Sequence, residues 1–168
     1  KGISPKGFTG IFGPFTANAI YNFQLAAGIE PDKVVYPYVL QGIMNTDGYS
    51  FQETDDIYDT YRHEVQMGLN KYYGSKIGLI APNGVWERKS HKNLIKAIQL
   101  EWGAVVDGSF GDGTLSKAPI LSKNTNGYTN SKRLLQWCLT INGFYPGSYS
   151  GTFDTNTYNS LYAFQKFV

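Results

Sequence analysis

An all-α chain, built as a tandem array of small modules joined by Gly-x-aromatic turns, is what this sequence predicts. Three observations carry that expectation. The pattern Gly-x-aromatic-x₃-Thr/Ser-x₃-Ile/Leu, followed shortly by Gln, occurs three times. It runs from Gly10 through Phe12, Thr16 and Ile20 to Gln24, and returns at a constant offset of 141 from Gly151 through Phe153, Thr157 and Leu161 to Gln165. Between them lie Gly84, Trp86, Ser90 and Leu94, with one extra residue before Gln99. Second, Val65-Gln66-x-x-Leu69 and Leu135-Gln136-x-x-Leu139 match at an offset of 70. Third, apolar residues follow the turns at helical spacing, and a repeated supersecondary unit of this kind belongs to arrays rather than to one enzyme core. Seven or so helices with short turns are expected.

The first module, residues 1–48, opens on the Gly10 turn. Glycine permits the tight turn at positive φ, and Phe12 is expected to plug inward beneath it. Pro14 suits the first helical turn, Ala17, Ile20, Phe23 and Ala27 form its apolar face, and Gly28 suits the stop. A looser equivalent of the turn, Gly28 to Asp32, runs into a second helical stretch from Tyr36 to Met44. The opening helix of this module is expected from residues ahead of Lys1, so the chain reads as part of a longer polypeptide. Asn45–Asp56 is a linker by its Asn, Thr and Gly content.

The second module, residues 57–122, starts with the Val65-Gln66 helix and passes through the Gly84 turn to the Gln99 helix. It then repeats the turn as Asp107-Gly108-Ser109-Phe110-Gly111-Asp112-Gly113-Thr114, ahead of Pro119. Ser122–Thr129 is the next linker. The third module, residues 130–168, combines the Leu135-Gln136 helix with the Gly151 turn, and Asp154 and Thr157 are placed to cap the last helix. Phe12, Phe23, Phe153, Leu161 and Phe164 are the expected core.

Composition narrows the function. Fifteen Lys and Arg against 13 Asp and Glu leave a net charge of +2, with no basic stripe for a nucleic-acid partner. The 13 Tyr, 10 Phe, 3 Trp and 19 Gly suit a carbohydrate-facing protein. Cys138 is the sole cysteine, which excludes an intrachain disulfide and reads as a buried inert thiol. No stretch approaches the ~20 apolar residues of a membrane span. Lys1-Gly2-Ile3-Ser4-Pro5 does not read as a secretion signal.

Catalytic chemistry finds little footing. His63 and His91, the only histidines, have no His or Cys at metal-ligand spacing, so a zinc hydrolase is not expected, and no metal or cofactor is. Asp107, Asp112 and Thr114 lack the alternating acids and distant Glu of a calcium loop, and turn formation explains them. A muramidase needs two facing carboxylates. The one dense acidic cluster, Glu53, Asp55, Asp56, Asp59 and Glu64, suits a solvated helix N-terminus instead.

The ordered recurrence of Leu-Gln-x-x-Leu helices and Gly-x-Phe turns resembles the peptidoglycan-binding-like domain. This small three-helix module accompanies many bacterial and phage cell-wall hydrolases. The second module matches end to end, with Asn83-Gly84-Val85-Trp86 in place of Asp-Gly-x-Phe and Ala97-Ile98-Gln99 in place of the Phe-Gln pair. The third matches from Leu135-Gln136 to Phe164-Gln165, with Ser150-Gly151-Thr152-Phe153-Asp154 at its turn and no closing turn. Residues 57–168 also look like the accessory region beside a glycoside-hydrolase-like domain in Gram-positive and phage proteins.

The resemblance implies a non-catalytic region that binds peptidoglycan, by glycan strand or stem peptide. It would thereby target a catalytic domain of the same polypeptide, an endolysin or lysin, to its substrate. The expected location is the cell wall, or the host cytoplasm before phage lysis. Aromatics beyond the core set are the candidate ligand contacts: Tyr21 and Tyr162 at equivalent positions, then Tyr145, Tyr149, Trp102 and Trp137. Three alternatives remain: a structural spacer or oligomerisation segment, a phage virion component, and, with two facing carboxylates, a glycosidase.

Overall fold

A computed structural model describes residues 12–44 and 57–168. The Gly10 glycine and the Asn45–Asp56 linker fall outside the described residues. Those residues form seven α-helices and no strand, the all-α class expected. Contacts group the chain into two compact units, Lys1–Val85 and Trp86–Val168. Residues 57–122 therefore straddle the border between them.

In the first unit, α1 spans Pro14–Ala27, α2 Pro37–Met44 and α3 Ile57–Ile77. Proline opens α1 where its missing N–H is no loss. Gly28 ends it at φ 73°, its backbone N–H closing on the carbonyls of the last turn. Both α1 and α2 pack on α3. Phe23, Ala27, Ile29, Val39 and Leu79 form one buried cluster with Tyr38 against it. Val65, Leu69 and Tyr73 supply the buried face of α3. Asn70, also buried on α3, ties this packing together. Its amide donates to the Ala27 and Ile80 carbonyls, each at 2.8 Å, and accepts from the Ile80 N–H at 2.9 Å. The end of α1 and the segment that follows α3 are thus fixed by one side chain.

In the second unit, α4 spans Arg88–Trp102, α5 Asp112–Leu115, α6 Thr129–Ile141 and α7 Thr155–Phe167. The Ser122–Thr129 linker is irregular until α6 begins at Thr129. α6 packs against both α4 and α7. Leu94, Ala97, Ile98, Leu134, Trp137, Leu139 and Phe153 are the buried apolar residues. Burying one large side chain of this kind contributes about 1.5–3 kcal/mol before chain entropy is set against it. Asp154 caps α7 as expected, its carboxylate accepting from the Thr157 N–H at 2.8 Å.

The expected core needs amendment at three positions. Phe23 and Phe153 are buried, but Leu161 and Phe164 are only partly so. Phe164 instead meets the edge of Phe144 at 5.6 Å between ring centroids. Phe12 is 58% exposed and does not plug inward within the described residues. Among the described residues no helix is long and apolar enough to cross a membrane.

Candidate functional site

Four helix glutamines, each at most 1% exposed, organise the turns of this protein: Gln24, Gln66, Gln99 and Gln136. A buried primary amide brings two donors and an acceptor that must find partners. Each glutamine finds them in one turn later in the chain. Its Oε1 accepts the N–H of the turn's second residue: Lys33, Gly84, Gly108 or Gly151, at 2.8–2.9 Å. Its Nε2 donates to the carbonyl of the third residue: Val34, Val85, Ser109 or Thr152, at 2.8–3.1 Å.

The first residue of each turn completes the arrangement. Asp32, Asn83, Asp107 and Ser150 accept, through their side-chain oxygen, the N–H two residues on. That local bond is the reason Asp, Asn and Ser are favoured in turns. The second residue is left-handed in every copy, with φ of 64° at Lys33 and 76–77° at the three glycines. Asp107 and Thr114 are thus committed to a turn, as the sequence suggests. Gln99 donates to both, at 2.8 and 3.1 Å.

These turns hold their carboxylates ionised. The Val34 N–H, then Gln24, pulls the Asp32 pKa down, and the Ser109 N–H, then Gln99, does the same for Asp107. A depressed folded-state pKa adds stability that is complete above the ordinary value of 3.8 and lost as pH falls through the lower one. Asn83 fills the same position without a charge. The double variant Asp32→Asn/Asp107→Asn is therefore expected to keep its fold and to lose stability less steeply than wild type as pH falls below the ordinary value of 3.8. Thermal melts across that range check it, and parallel acid limbs would count against the two aspartates.

The candidate aromatics divide. Trp137 is 1% exposed and belongs to the core, because α6 is buried on most of its circumference. It cannot present a face to a ligand in this fold. Its ring meets the edge of Tyr149 at 6.5 Å, and Tyr149 meets Tyr145 at 5.8 Å, so these three candidates form one partly buried chain. Trp102 is partly buried edge-on to Phe110, at 5.9 Å. Its indole N–H is buried and meets no acceptor among the described residues.

Tyr21 and Tyr162 share a feature that their equivalent positions foreshadow. Each ring lies under a lysine ammonium, Lys33 at 5.6 Å and Lys166 at 5.3 Å. Tyr21 is partly buried, whereas Tyr162 is 51% exposed. Tyr162 also lies nearly parallel to Tyr158, with ring centroids 6.3 Å apart and an interplanar angle of 11°. Tyr158, 52% exposed, is absent from the residues singled out in the sequence. Its signal was the i, i+4, i+8 spacing of Tyr158, Tyr162 and Lys166 on one helix face. The outcome is an open aromatic stripe along α7.

Other chemistry is sparse. Among the described residues no group of three or more His, Cys, Asp or Glu has metal-holding geometry. Glu53, Asp55 and Asp56 lie outside the described residues, and Asp59 pairs with Arg62 at 3.1 Å. Burial lowers the His63 pKa. The Cys138 residue keeps part of its surface open, yet burial pushes its thiol up to about 12, the inert behaviour expected.

The chain has relatives in Bacillus subtilis. It is 33% identical over 174 residues to the uncharacterized protein YbfG of strain 168, across 100% of this chain and 23% of that protein. It is likewise 33% identical over 174 residues to the uncharacterized protein FadG of the same strain, across 100% of this chain and 30% of that protein. The chain therefore spans less than a third of either relative. No family model matches it, and no solved structure does.

Proposed function

We propose that this chain is a non-catalytic peptidoglycan-binding region, built of peptidoglycan-binding-like modules, that holds a lytic domain of the same polypeptide against the cell wall. The observation that carries this reading is the α7 stripe. Two half-exposed tyrosines lie nearly parallel, with Lys166 beside them. Such a surface offers sugar C–H faces an apolar platform and offers hydroxyls and carboxylates a cation. The turns support the same reading, since their recurrent Asp, Asn, Ser and Gln residues are occupied in shaping them. Relatives in a Gram-positive bacterium fit a wall ligand, and linked modules would add avidity.

The test is sedimentation of the chain with purified Gram-positive sacculi. Wild type is expected to sediment, and Tyr158→Ala/Tyr162→Ala to bind about tenfold more weakly with unchanged melting, as loss of two aromatic contacts implies. A folded wild type that stays in the supernatant would leave a structural spacer as the better account.

A further inference from the structure

The second unit carries a groove of about 440 Å³ where the end of α4 meets the Asp107 turn. That volume falls within the range of small-ligand sites, roughly 300–1,000 Å³. Its walls are made of small residues. Gly111 and Gly113 present no side chain, and Ala104 and Val105 present short apolar ones. No aromatic side chain lines it, so a sugar ring would find no stacking partner there.

Three polar groups in this groove have capacity left over. Thr114 is 4% exposed, and its hydroxyl oxygen accepts from Gln99 at 3.1 Å. At the equivalent position Thr157 accepts from Gln136 and passes its own proton to the Thr152 carbonyl at 3.4 Å. Thr114 has no such acceptor among the described residues, which leaves a buried O–H to be satisfied. Lys117 pairs with no carboxylate among the described residues. Asp107 uses only Oδ1 for Gln99 and Ser109, leaving Oδ2 open. The stem of Lys92 packs beside this turn against Gly108, and its charge also favours the ionised Asp107.

Building on the cell-wall reading above, we propose that this groove binds an amino-acid head group with a free ammonium and a free carboxylate on a short aliphatic chain. The carboxylate is taken by the Lys117 ammonium and the Thr114 hydroxyl, and the ammonium by Asp107 Oδ2. The aliphatic chain lies on Ala104 and Val105. In peptidoglycan this chemistry belongs to the open end of a diamino-dicarboxylic residue in an uncross-linked stem peptide. The groove then reads the peptide, and the α7 stripe the glycan.

The experiment is a titration of the whole chain, followed by amide NMR, with muropeptides carrying diaminopimelate or lysine. Lysine offers the ammonium without the carboxylate. The diaminopimelate form is expected to shift amides within residues 103–117 and to bind about tenfold more tightly than the lysine form. Lys117→Gln and Asp107→Asn are each expected to erase about tenfold of that affinity, the worth of one charge-assisted contact. Asn83 shows that asparagine supports this turn, so Asp107→Asn tests charge rather than folding. Equal response to both muropeptides, or none at residues 103–117, overturns the assignment. Sedimentation on sacculi without those shifts overturns the groove alone. Shifts in a chain that does not sediment uphold the groove and overturn the wall reading.

Discussion

Gln136→Leu is expected to destabilise the Trp86–Val168 unit by about 3–5 kcal/mol. The leucine keeps the volume and removes the amide. Three hydrogen bonds vanish, from Gly151 N–H, to the Thr152 carbonyl and to the Thr157 hydroxyl. Each contributes on the order of 1 kcal/mol net, and the groups left behind are buried or partly so, which raises the cost. Domains of this size have a total stability of about 5–15 kcal/mol, so the unit would lose a large share. A fall in melting temperature of more than about 12 °C follows. Gln165→Leu is the matched control. It occupies the place that Gln24 and Gln99 hold in the repeat, yet Gln165 is exposed, and a change within about 0.5 kcal/mol is expected. If both variants melt alike, the buried amide is incidental and the account of the turns is wrong.

Gly151→Ala is expected to cost about 2–5 kcal/mol in the same unit. Part of that is backbone strain, since φ is 76° and a Cβ in the left-handed region costs about 1–2 kcal/mol. The larger part is crowding. A Cβ at Gly151 would lie 2.5 Å from the Thr129 carbonyl oxygen and 2.7 Å from its Cγ2. The carbonyl belongs to the first residue of α6 and has little room to retreat, and overpacking of this kind costs about 1–3 kcal/mol. Gly103→Ala separates the two contributions. Its φ is 67°, but nothing lies within 4 Å of the added atom, so strain alone remains. Denaturant unfolding of both variants checks the difference, and equal losses would remove the role given to Thr129.

Much of this arrangement was legible in the sequence, and what was not has physical reasons. The all-α class, the helix start at Pro14, the stop at Gly28 and the Asp154 cap follow from local rules about proline, glycine and side-chain oxygens. The glutamines were legible as a recurrence but not as a mechanism. A lone Gln in an amphipathic helix looks like a solvated residue, and its partners lie 8 to 21 residues away. The Asp32 turn matches the others only loosely in sequence because Lys33 stands where the other copies have glycine, in the same left-handed conformation. Trp137 stands outside the core set that the repeats define, and its burial is hidden because α6 buries the adjacent Gln136 and Trp137 together rather than one narrow apolar face. Tyr158 carries no repeat signal, because Tyr162 matches Tyr21 whereas Tyr158 falls opposite Ala17.

The distance between each glutamine and its turn varies while the geometry does not. Gln24 and Gln99 reach the second residue of their turn nine residues on, Gln136 reaches Gly151 at 15 and Gln66 reaches Gly84 at 18. Each turn is therefore addressed by a side chain rather than measured out by the length of the connection. Lengthening a closed connection is inexpensive, about 0.6 kcal/mol per doubling of its length. Exposed stretches inside these connections, such as Gly147-Ser148, are places where lineages can gain or lose residues, or an engineer can insert a peptide, while the docked turn keeps its register.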